Sequence, residues 1–452
     1  MVRSIRMRAP IRSLALAALL LSGFPLFPGG SRAEPQGGAL PRPQRHVLPN
    51  GVVLIVQEHR ASDVVSLQMW VRVGGRDEAP EELGLSHYLE HMLFKGTPTR
   101  PPGSIDLMVE SVGGQSNAFT SYDFTHFDVV LPADQAAVGI ALLADIAVNA
   151  SFDQTELDRE RLVVLDEMRL TEDDAERFLG RRLSEEAYTP TPYGRSILGT
   201  PQLIKELTRE RLARYYRERY VPKNMSLVVV GAVDPESIRR TATQTFGRLG
   251  GEGKPRAAMP PQPDPGGRAS DVPRPEKQAY LGLAWKTPQV SNDDVPATDL
   301  LTYILGDSPS SRLNVAVRDR KGLVSTIEAG YVTRQFGGLV TVTARLEPQN
   351  LEKAEAAILD EIRRVQEEGV TEAERQRAII TAEANYAFDI ETVEGLARDY
   401  GEAETNWTLD NELNYLSRLR QITGAQIQAA ARKYFGDKDY ARVRFVPERA
   451  AR

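Results

Sequence analysis

Cysteine is absent from the 452 residues, and histidine occurs only five times, at His46, His59, His87, His91 and His126. Without cysteine there can be no disulfide, thiol nucleophile, thiolate zinc site or lipid attached through sulfur. Any metal must be held by His, Asp and Glu. A G-x-S-x-G nucleophile motif is also missing. The formal charge of −6 argues against a chain that coats nucleic acid, which needs a basic surface. After the first 33 residues no apolar run approaches the ~20 residues that a membrane-spanning helix needs. What is present is 41% hydrophobic and 26% charged residues, the balance of a soluble globular protein. The length exceeds one ordinary domain, so two or more are expected.

The N-terminus reads as a targeting segment rather than as part of the fold. Arg3, Arg6, Arg8 and Arg12 precede a short apolar stretch from Leu14 to Phe27, interrupted by Pro25, and Ser31 and Ala33 supply small residues. This is the layout of a secretory signal, with cleavage expected after Ala33. A retained anchor is the alternative, but the apolar run is too short for one. Removal of residues 1–33 takes away five arginines and no acid, which moves the formal charge from −6 to −11. An exported, acidic mature protein is expected: periplasmic, or secreted where there is no outer membrane, with no stable membrane insertion.

The remainder divides into two versions of one pattern. Residues 250–276 are rich in Pro and Gly without a period and read as a linker. They separate an N-terminal domain at 45–249 from a C-terminal domain at 277–447. Sliding the chain by about 215 residues aligns three ordered segments. Leu131-Pro132 and the helical AAVGIALLADI answer Leu346-Glu347-Pro348 and LEKAEAAILDEI. FDQTELDRERLVVLDEM answers VTEAERQRAIITAEANY, with Glu156 against Glu374. LTRERLARYYRERY and NMSLVVVGAVD answer ITGAQIQAAARKYF and YARVRFVPE. Alternating apolar strands at 52–57, 64–73, 125–131 and 225–230 are interleaved with long amphipathic helices. The expected fold class is α+β: two homologous domains, each a mostly antiparallel sheet covered by helices.

The chemistry concentrates in GLSHYLEHMLFKGT. His87, Glu90 and His91 stand at i, i+3 and i+4, so one helix face carries all three. Two imidazoles at that spacing can grip Zn²⁺ while the intervening carboxylate acts as a base toward water. A surface helix with two incidental histidines explains poorly why two of only five fall at ligand spacing beside a Glu. A further ligand must come from elsewhere. The helix expected at 154–170 offers Glu156, Glu160, Asp166 and Glu167, and spacing alone does not choose among them. For His46, His59 and His126, beside or within strands, a structural role is expected.

The H-x-x-E-H motif is the inverted zinc-binding motif, and HYLEHMLFKGT closely resembles the signature of the pitrilysin/insulinase (M16) metallopeptidases, in particular the processing-peptidase type and its bacterial relatives. The resemblance continues through RHVLPNGVVLIVQE, VGGQSNAFTSYDFTHF, ELDRERLVVLDEMRL, YYRERYVPKNMSLVVVG and SSRLNVAVRDRKGL, across essentially the whole mature chain. It implies two similar domains enclosing a chamber and one zinc per chain. It implies ligands His87, His91 and Glu167, the last because the family's third ligand lies about 76 residues beyond the second histidine. Glu90 is then the catalytic base and Glu160 the acidic partner that supports the site. The resemblance also implies that substrate adds as an extra strand beside Asn117, Ala118 and Phe119. The reaction so implied is hydrolysis of peptide bonds, that of a zinc metalloendopeptidase.

The second half has no such ligand set: Asp299, Thr302 and Tyr303 replace His87, Glu90 and His91, and Asn385 replaces Glu167. A further departure concerns substrate contacts. Active relatives carry an Arg and a Tyr seven residues apart in a segment like R-x-x-[KR]-G-L-x-Y. Here RDRKGLVS retains Arg318, a candidate substrate contact, but places Ser325 where the Tyr belongs, with Tyr331 six residues further on. A serine hydroxyl cannot reach where a phenol would, and such a donor can be worth roughly 2.7–4 kcal/mol of barrier. The resemblance therefore implies a heterodimer with a homologous chain that lacks HxxEH and carries the Arg–Tyr pair. A homodimer, or a slow enzyme acting alone, is the alternative. Across function classes, the competing reading is a non-catalytic scaffold or assembly subunit of the same fold.

Overall fold

The computed structural model describes residues 41–254, 256, 258–260 and 267–448; the expected signal segment lies outside them. Two sheets organise the chain. The first is built from β1 (Gln44–Val47), β2 (Val53–Glu58), β3 (Val64–Val71), β4 (Gln115–Thr120), β5 (Thr125–Pro132) and β6 (Met225–Gly231), in the order β1-β2-β6-β3-β5-β4. The second is built from β7 (Ala269–Arg274), β8 (Ala279–Thr287), β9 (Thr326–Val332), β10 (Gly338–Leu346) and β11 (Tyr440–Pro447), in the order β7-β11-β8-β10-β9. Apart from β1 the two sheets have the same connectivity. In each, the first strand of the shared pattern pairs parallel with the last, and all other pairs are antiparallel. The repeat in the sequence is thus a repeat in topology.

The four strands read from alternation form within a residue or two of the expected limits. β7 is a correction: it lies inside the stretch 250–276 read as linker. Its sequence ASDVPR carries a proline and alternates only weakly in burial. An edge strand tolerates both, because one of its sides needs no hydrogen-bond donors.

One face of the first sheet carries α1 (Leu85–Leu93), α2 (Ala136–Asn149) and α3 (Gln154–Asp173), and Leu67, Met69, Phe127, Val129, Leu89, Leu143 and Val164 share one core there. The second sheet is covered in the same way by α5 (Leu351–Glu368) and α6 (Glu372–Asp389). The opposite faces are covered by exchange. α4 (Ala175–Tyr188), from the first half, lays Leu179, Leu183 and Ala187 against Ala284, Val443 and Phe445 of the second sheet. α7 (Val393–Asn406), from the second half, lays Val393, Leu396, Ala397 and Tyr400 against Val53, Ile55, Trp70 and Val228 of the first. Polar contacts fix that docking: Tyr400 Oη donates to Gln57 Oε1 at 2.6 Å, and Gln68 Nε2 donates to the Glu394 carbonyl at 3.0 Å. A sheet exposing either apolar face would be unstable in water, so each half completes the other.

Helix α7 approaches the first sheet so closely that a Cβ at Gly401 would enter the indole of Trp70. Trp70 is fully buried and its Nε1 already donates to Gln68 Oε1 at 3.0 Å, so the ring cannot yield cheaply. Alanine in place of a mid-helix glycine ordinarily stabilises by about 1 kcal/mol, whereas overpacking costs about 1–3 kcal/mol. With the added Cβ set well inside contact distance of a buried ring, Gly401→Ala is expected to fall at the costly end and lower stability in urea unfolding by up to about 2 kcal/mol. An unchanged or raised midpoint would show that the helix does not bear on Trp70.

Candidate metal centre

Helix α1 is short, and its start is secured from outside. Gly84, at its N-cap, has φ 94° and offers no side chain. The cap is supplied by Glu78, whose Oε1 accepts from Ser86 N at 2.7 Å and Oε2 from Gly84 N at 2.9 Å. Burial pushes the Glu78 carboxyl up to about 8 against these two amides, so the cap acts through its hydrogen bonds. The Ser86 hydroxyl lies 2.9 Å from Tyr215 Oη. Leu85, Tyr88, Leu89, Met92 and Leu93 bury one face of α1 in the core. The other face presents His87, Glu90 and His91 to α3 and β4.

Helix α3 begins where Asp153 accepts from Thr155 N and Glu156 N at 2.9 and 3.1 Å. Its buried stripe is Leu157, Glu160, Val164 and Met168, so a carboxyl stands where the spacing calls for an apolar side chain. That carboxyl faces α1. Glu160 Oε2 lies 2.9 Å from His91 Nδ1, and Oε1 lies 2.8 Å from Lys95 Nζ. Two turns on, Glu167 Oε2 lies 3.5 Å from both His87 Nε2 and His91 Nε2. Among the described residues, these three side chains are the group of potential ligands whose donor atoms all lie within 4.8 Å of one another.

The donor set fits zinc. With ligands about 2.0–2.1 Å from the metal, neighbouring donors of a tetrahedral shell stand about 3.3–3.4 Å apart. Both imidazole-to-carboxylate separations are close to that edge. Glu160 on His91 Nδ1 holds the proton on that nitrogen and leaves Nε2 as the ligand atom, the usual arrangement of a carboxylate behind a metal-binding imidazole. Three protein ligands leave a fourth position open.

Charge follows geometry. Burial opposes protonation of His91, but its hydrogen bonds to Glu160 and Glu167 outweigh it and raise the pKa to about 9. Burial and the neighbouring His91 lower His87 to about 4. The His91 hydrogen bond pulls Glu160 below the usual carboxylate range, and the same is true of Glu167. Burial raises Glu90, against the Thr120 hydroxyl and His91. Without metal, then, His91 carries a proton on Nε2 between two carboxylates.

The structure thus gathers His87, His91, Glu167, Glu160 and Glu90 in one place. Glu160 stands behind His91, on Nδ1, while the three donor atoms that converge are His87 Nε2, His91 Nε2 and Glu167 Oε2. Asn117, Ala118 and Phe119 lie on β4, the outermost strand of the first sheet, which pairs with β5 alone. Ala118 packs toward the core, while the Phe119 ring is 50% exposed. Arg318 lies in the second half with its guanidinium on Asp319 at 2.8 Å. The Ser325 hydroxyl donates to the Arg345 carbonyl at 2.8 Å, and Tyr331 is buried in the second core. His126 is buried, stacked on Trp70 at 4.4 Å and 3.4 Å from Asp128. In the second half, Tyr303 and Asn385, the counterparts of His91 and Glu167, meet in a 3.5 Å hydrogen bond. A neutral pair occupies the equivalent position there. Glu78 and Lys95 were not singled out in the sequence. Lys95 follows His91 by four residues and could have been found by helix spacing.

Zinc must displace the Nε2 proton of His91, so binding should release about one proton below pH 9. The sign is fixed: His91 is raised above its unfolded value, so the metal-free contact stabilises fully below about pH 6.5 and is lost as pH rises through about 9. Zinc affinity is therefore expected to rise about tenfold per pH unit from 6.5 toward 9 and then level off. Calorimetry in buffers of different ionisation enthalpy reads the proton count; a pH-independent affinity would contradict the assignment. Glu160→Gln should weaken zinc binding by about 10–100-fold.

Both halves of the chain are similar to known proteins. Residues 53–201 match the family described as Insulinase (Peptidase family M16), and residues 206–381 match the Peptidase M16 inactive domain. An uncharacterized zinc protease of Mycobacterium tuberculosis is 29% identical over 415 residues, covering 90% of this chain and 93% of the relative. The uncharacterized zinc protease YmxG of Bacillus subtilis is 27% identical, with 88% and 97% covered. The fold matches that of a protease from Helicobacter pylori with TM-score 0.86 at 24% identity, over 90% of this chain and 100% of that one. It also matches the periplasmic protease PqqL of Escherichia coli with TM-score 0.75 at 21% identity, over 92% of this chain but 49% of that one. On both halves, by sequence and by fold, the chain belongs to the M16 pitrilysin/insulinase family of metallopeptidases.

Proposed function

We propose that this chain is an exported zinc metalloendopeptidase that cleaves peptide bonds in unstructured segments. The observation that carries the reading is the convergence of His87, His91 and Glu167, with Glu90 on the same helix face and held toward neutrality by burial. A bound zinc supplies Lewis acidity, which polarises the scissile carbonyl and acidifies the attacking water. Glu90 takes the proton of that water on its carboxylate and returns it to the leaving nitrogen. The Thr120 hydroxyl, at the end of β4, acts on Glu90 against the effect of burial, which sets the base beside the substrate strand. His91 is kept in one tautomer by Glu160, which holds both ligand and charge in place as the proton moves.

Substrate binding is assigned to the free side of β4. A peptide that pairs there as an additional strand is held through its backbone, with little demand on its sequence. The ring of Phe119 borders alternate side chains of such a strand. Only an extended, unfolded segment can pair in this way, so folded proteins are excluded.

The partner reading rests on the second half. Ser325 is committed to the Arg345 carbonyl, Tyr331 is buried, and Arg318 is paired with its neighbour, so no phenol donor is offered from that segment. A homologous chain carrying the Arg–Tyr pair would complete the site. The match of this chain to only 49% of PqqL accords with a unit of this size working beside further chain. Export rests on residues 1–33 of the sequence alone.

Replacing Glu90 by Gln should leave zinc stoichiometry unchanged and lower kcat on an unstructured peptide by roughly 10²–10⁴-fold. Bound zinc with no hydrolysis by the wild type, alone or with a homologous partner, would leave only a scaffold or assembly subunit. Assays of the purified chain alone test the partner. Full activity as a monomer or homodimer, unaffected by the homologous chain, would overturn the heterodimer.

A further inference from the structure

A second cluster of charge lies away from the metal centre, where the two halves meet. Asp77 is almost wholly buried. Arg256, from the stretch between the halves, grips it with both arms: Nε to Oδ1 at 2.9 Å and Nη2 to Oδ2 at 2.8 Å. The same Nη2 donates to the Asp123 carbonyl at 2.8 Å. Arg76, also buried, lies 3.0 Å from Asp123 Oδ1, and Tyr193 Oη donates to that carboxylate at 2.8 Å. The turn between β9 and β10 inserts into this cluster from the second half. Gln335 Oε1 accepts from Arg76 at 3.2 Å, the Phe336 ring lies under the Arg76 guanidinium at 4.6 Å, and Arg334 lies over Tyr122 at 4.2 Å.

The position of this cluster in the chain gives it meaning. Asp77 directly precedes Glu78, whose carboxyl caps the zinc-binding helix. Asp123 sits in the turn that follows β4, and Gly75 N and Arg76 N donate to the Ser121 and Tyr122 carbonyls of that turn at 3.0 and 3.1 Å. One cluster therefore fixes both the start of α1 and the end of the substrate strand, and it is completed by residues from outside the first half. We propose that Arg76, Asp77, Asp123 and Arg256 form a clasp through which the docked second half holds α1 and β4 in mutual register, which makes Asp77, Glu78 and Arg256 positioning residues for hydrolysis. This rests on the peptidase reading above. It gives the second half a role in aligning the reaction as well as in walling the chamber. A buried ion cluster suits the task because removal of one member leaves a partner charge without compensation. Displacement of a substrate strand by about 1 Å can cost about 10²-fold in rate.

The test uses the full zinc-loaded chain, which has no cysteine of its own. Spin labels at Leu162→Cys and Ile380→Cys, exposed and equivalent positions on α3 and α6, report the distance between the halves. In the unaltered background a narrow distance distribution is expected. Arg256→Ala should broaden it and lower kcat per bound zinc by about 10–100-fold well below the melting temperature, with zinc affinity changed less than about threefold. Arg256→Lys, which retains the charge, should recover part of both. A lower melting temperature with unaltered kcat and a narrow distribution would reduce the cluster to a stabilising role and overturn the proposal. Should Arg256→Ala fail to fold, Gln335→Ala removes hydrogen bonds but no charge and is read in the same way. If the unaltered chain hydrolyses nothing, alone or with the homologous partner, the peptidase reading has failed, and the distance distributions alone decide whether the clasp exists.

Discussion

The metal centre depends on a 2.9 Å hydrogen bond between His91 Nδ1 and Glu160. It joins two helices that also meet through apolar side chains, through the Tyr88 hydroxyl on the Leu157 carbonyl and through Glu167 beside both imidazoles, and it fixes which nitrogen of His91 faces Glu167. Remove it and His91 can turn or change tautomer, and the three donor atoms no longer share an approach to one point. The cost of burying Glu160 is offset by two partners, His91 and Lys95, one for each oxygen. Such an arrangement follows the general rule that a buried charge persists only when paired and hydrogen-bonded. The helices are in turn held by ordinary means: a glycine start capped by Glu78, and a core shared with the first sheet.

Duplication explains the architecture around that centre. Two sheets of matching topology each need two faces covered, and each half lends the equivalent helix to the other, α4 in one direction and α7 in the other. The halves are thus inseparable in packing although distinct in sequence. Among the described residues, only the first half gathers a set of potential metal ligands. In the other, Tyr303 and Asn385 meet through a weak neutral hydrogen bond, and Asp299 accepts from Tyr415 Oη at 2.7 Å. The turn at Arg334 to Phe336 in that half reaches into the charge cluster of the first.

Much of this was legible in the sequence, for identifiable reasons. His87, Glu90 and His91 are neighbours on a helix whatever the tertiary fold, because the period of the helix alone brings them together. Four strands of the first sheet, β2, β3, β5 and β6, are short apolar-rich runs, buried along almost their whole length, and so declared themselves. The internal repeat announced the shared topology. Choice of the third ligand needed family resemblance, since Glu156, Glu160, Asp166 and Glu167 differ only in which face of α3 they occupy. One local signal for Glu160 was available: it interrupts the apolar stripe of Leu157, Val164 and Met168. Other features were not legible. The period of an amphipathic helix shows that one face is buried but not against which sheet, so the exchange of α4 and α7 was hidden. Glu78 looks like one more acid in DEAPEE, and only tertiary structure aims it at the Ser86 and Gly84 amides. Arg256 and β7 lie in a Pro-rich stretch whose composition masks its contacts.

X-ray absorption at the zinc edge on the stoichiometrically loaded full chain would test the central claim most directly. The account predicts a four-coordinate shell of nitrogen and oxygen at about 2.0–2.1 Å, with outer-shell scattering from two imidazoles that falls to one in His87→Ala. A six-coordinate, oxygen-rich shell without imidazole scattering would contradict it.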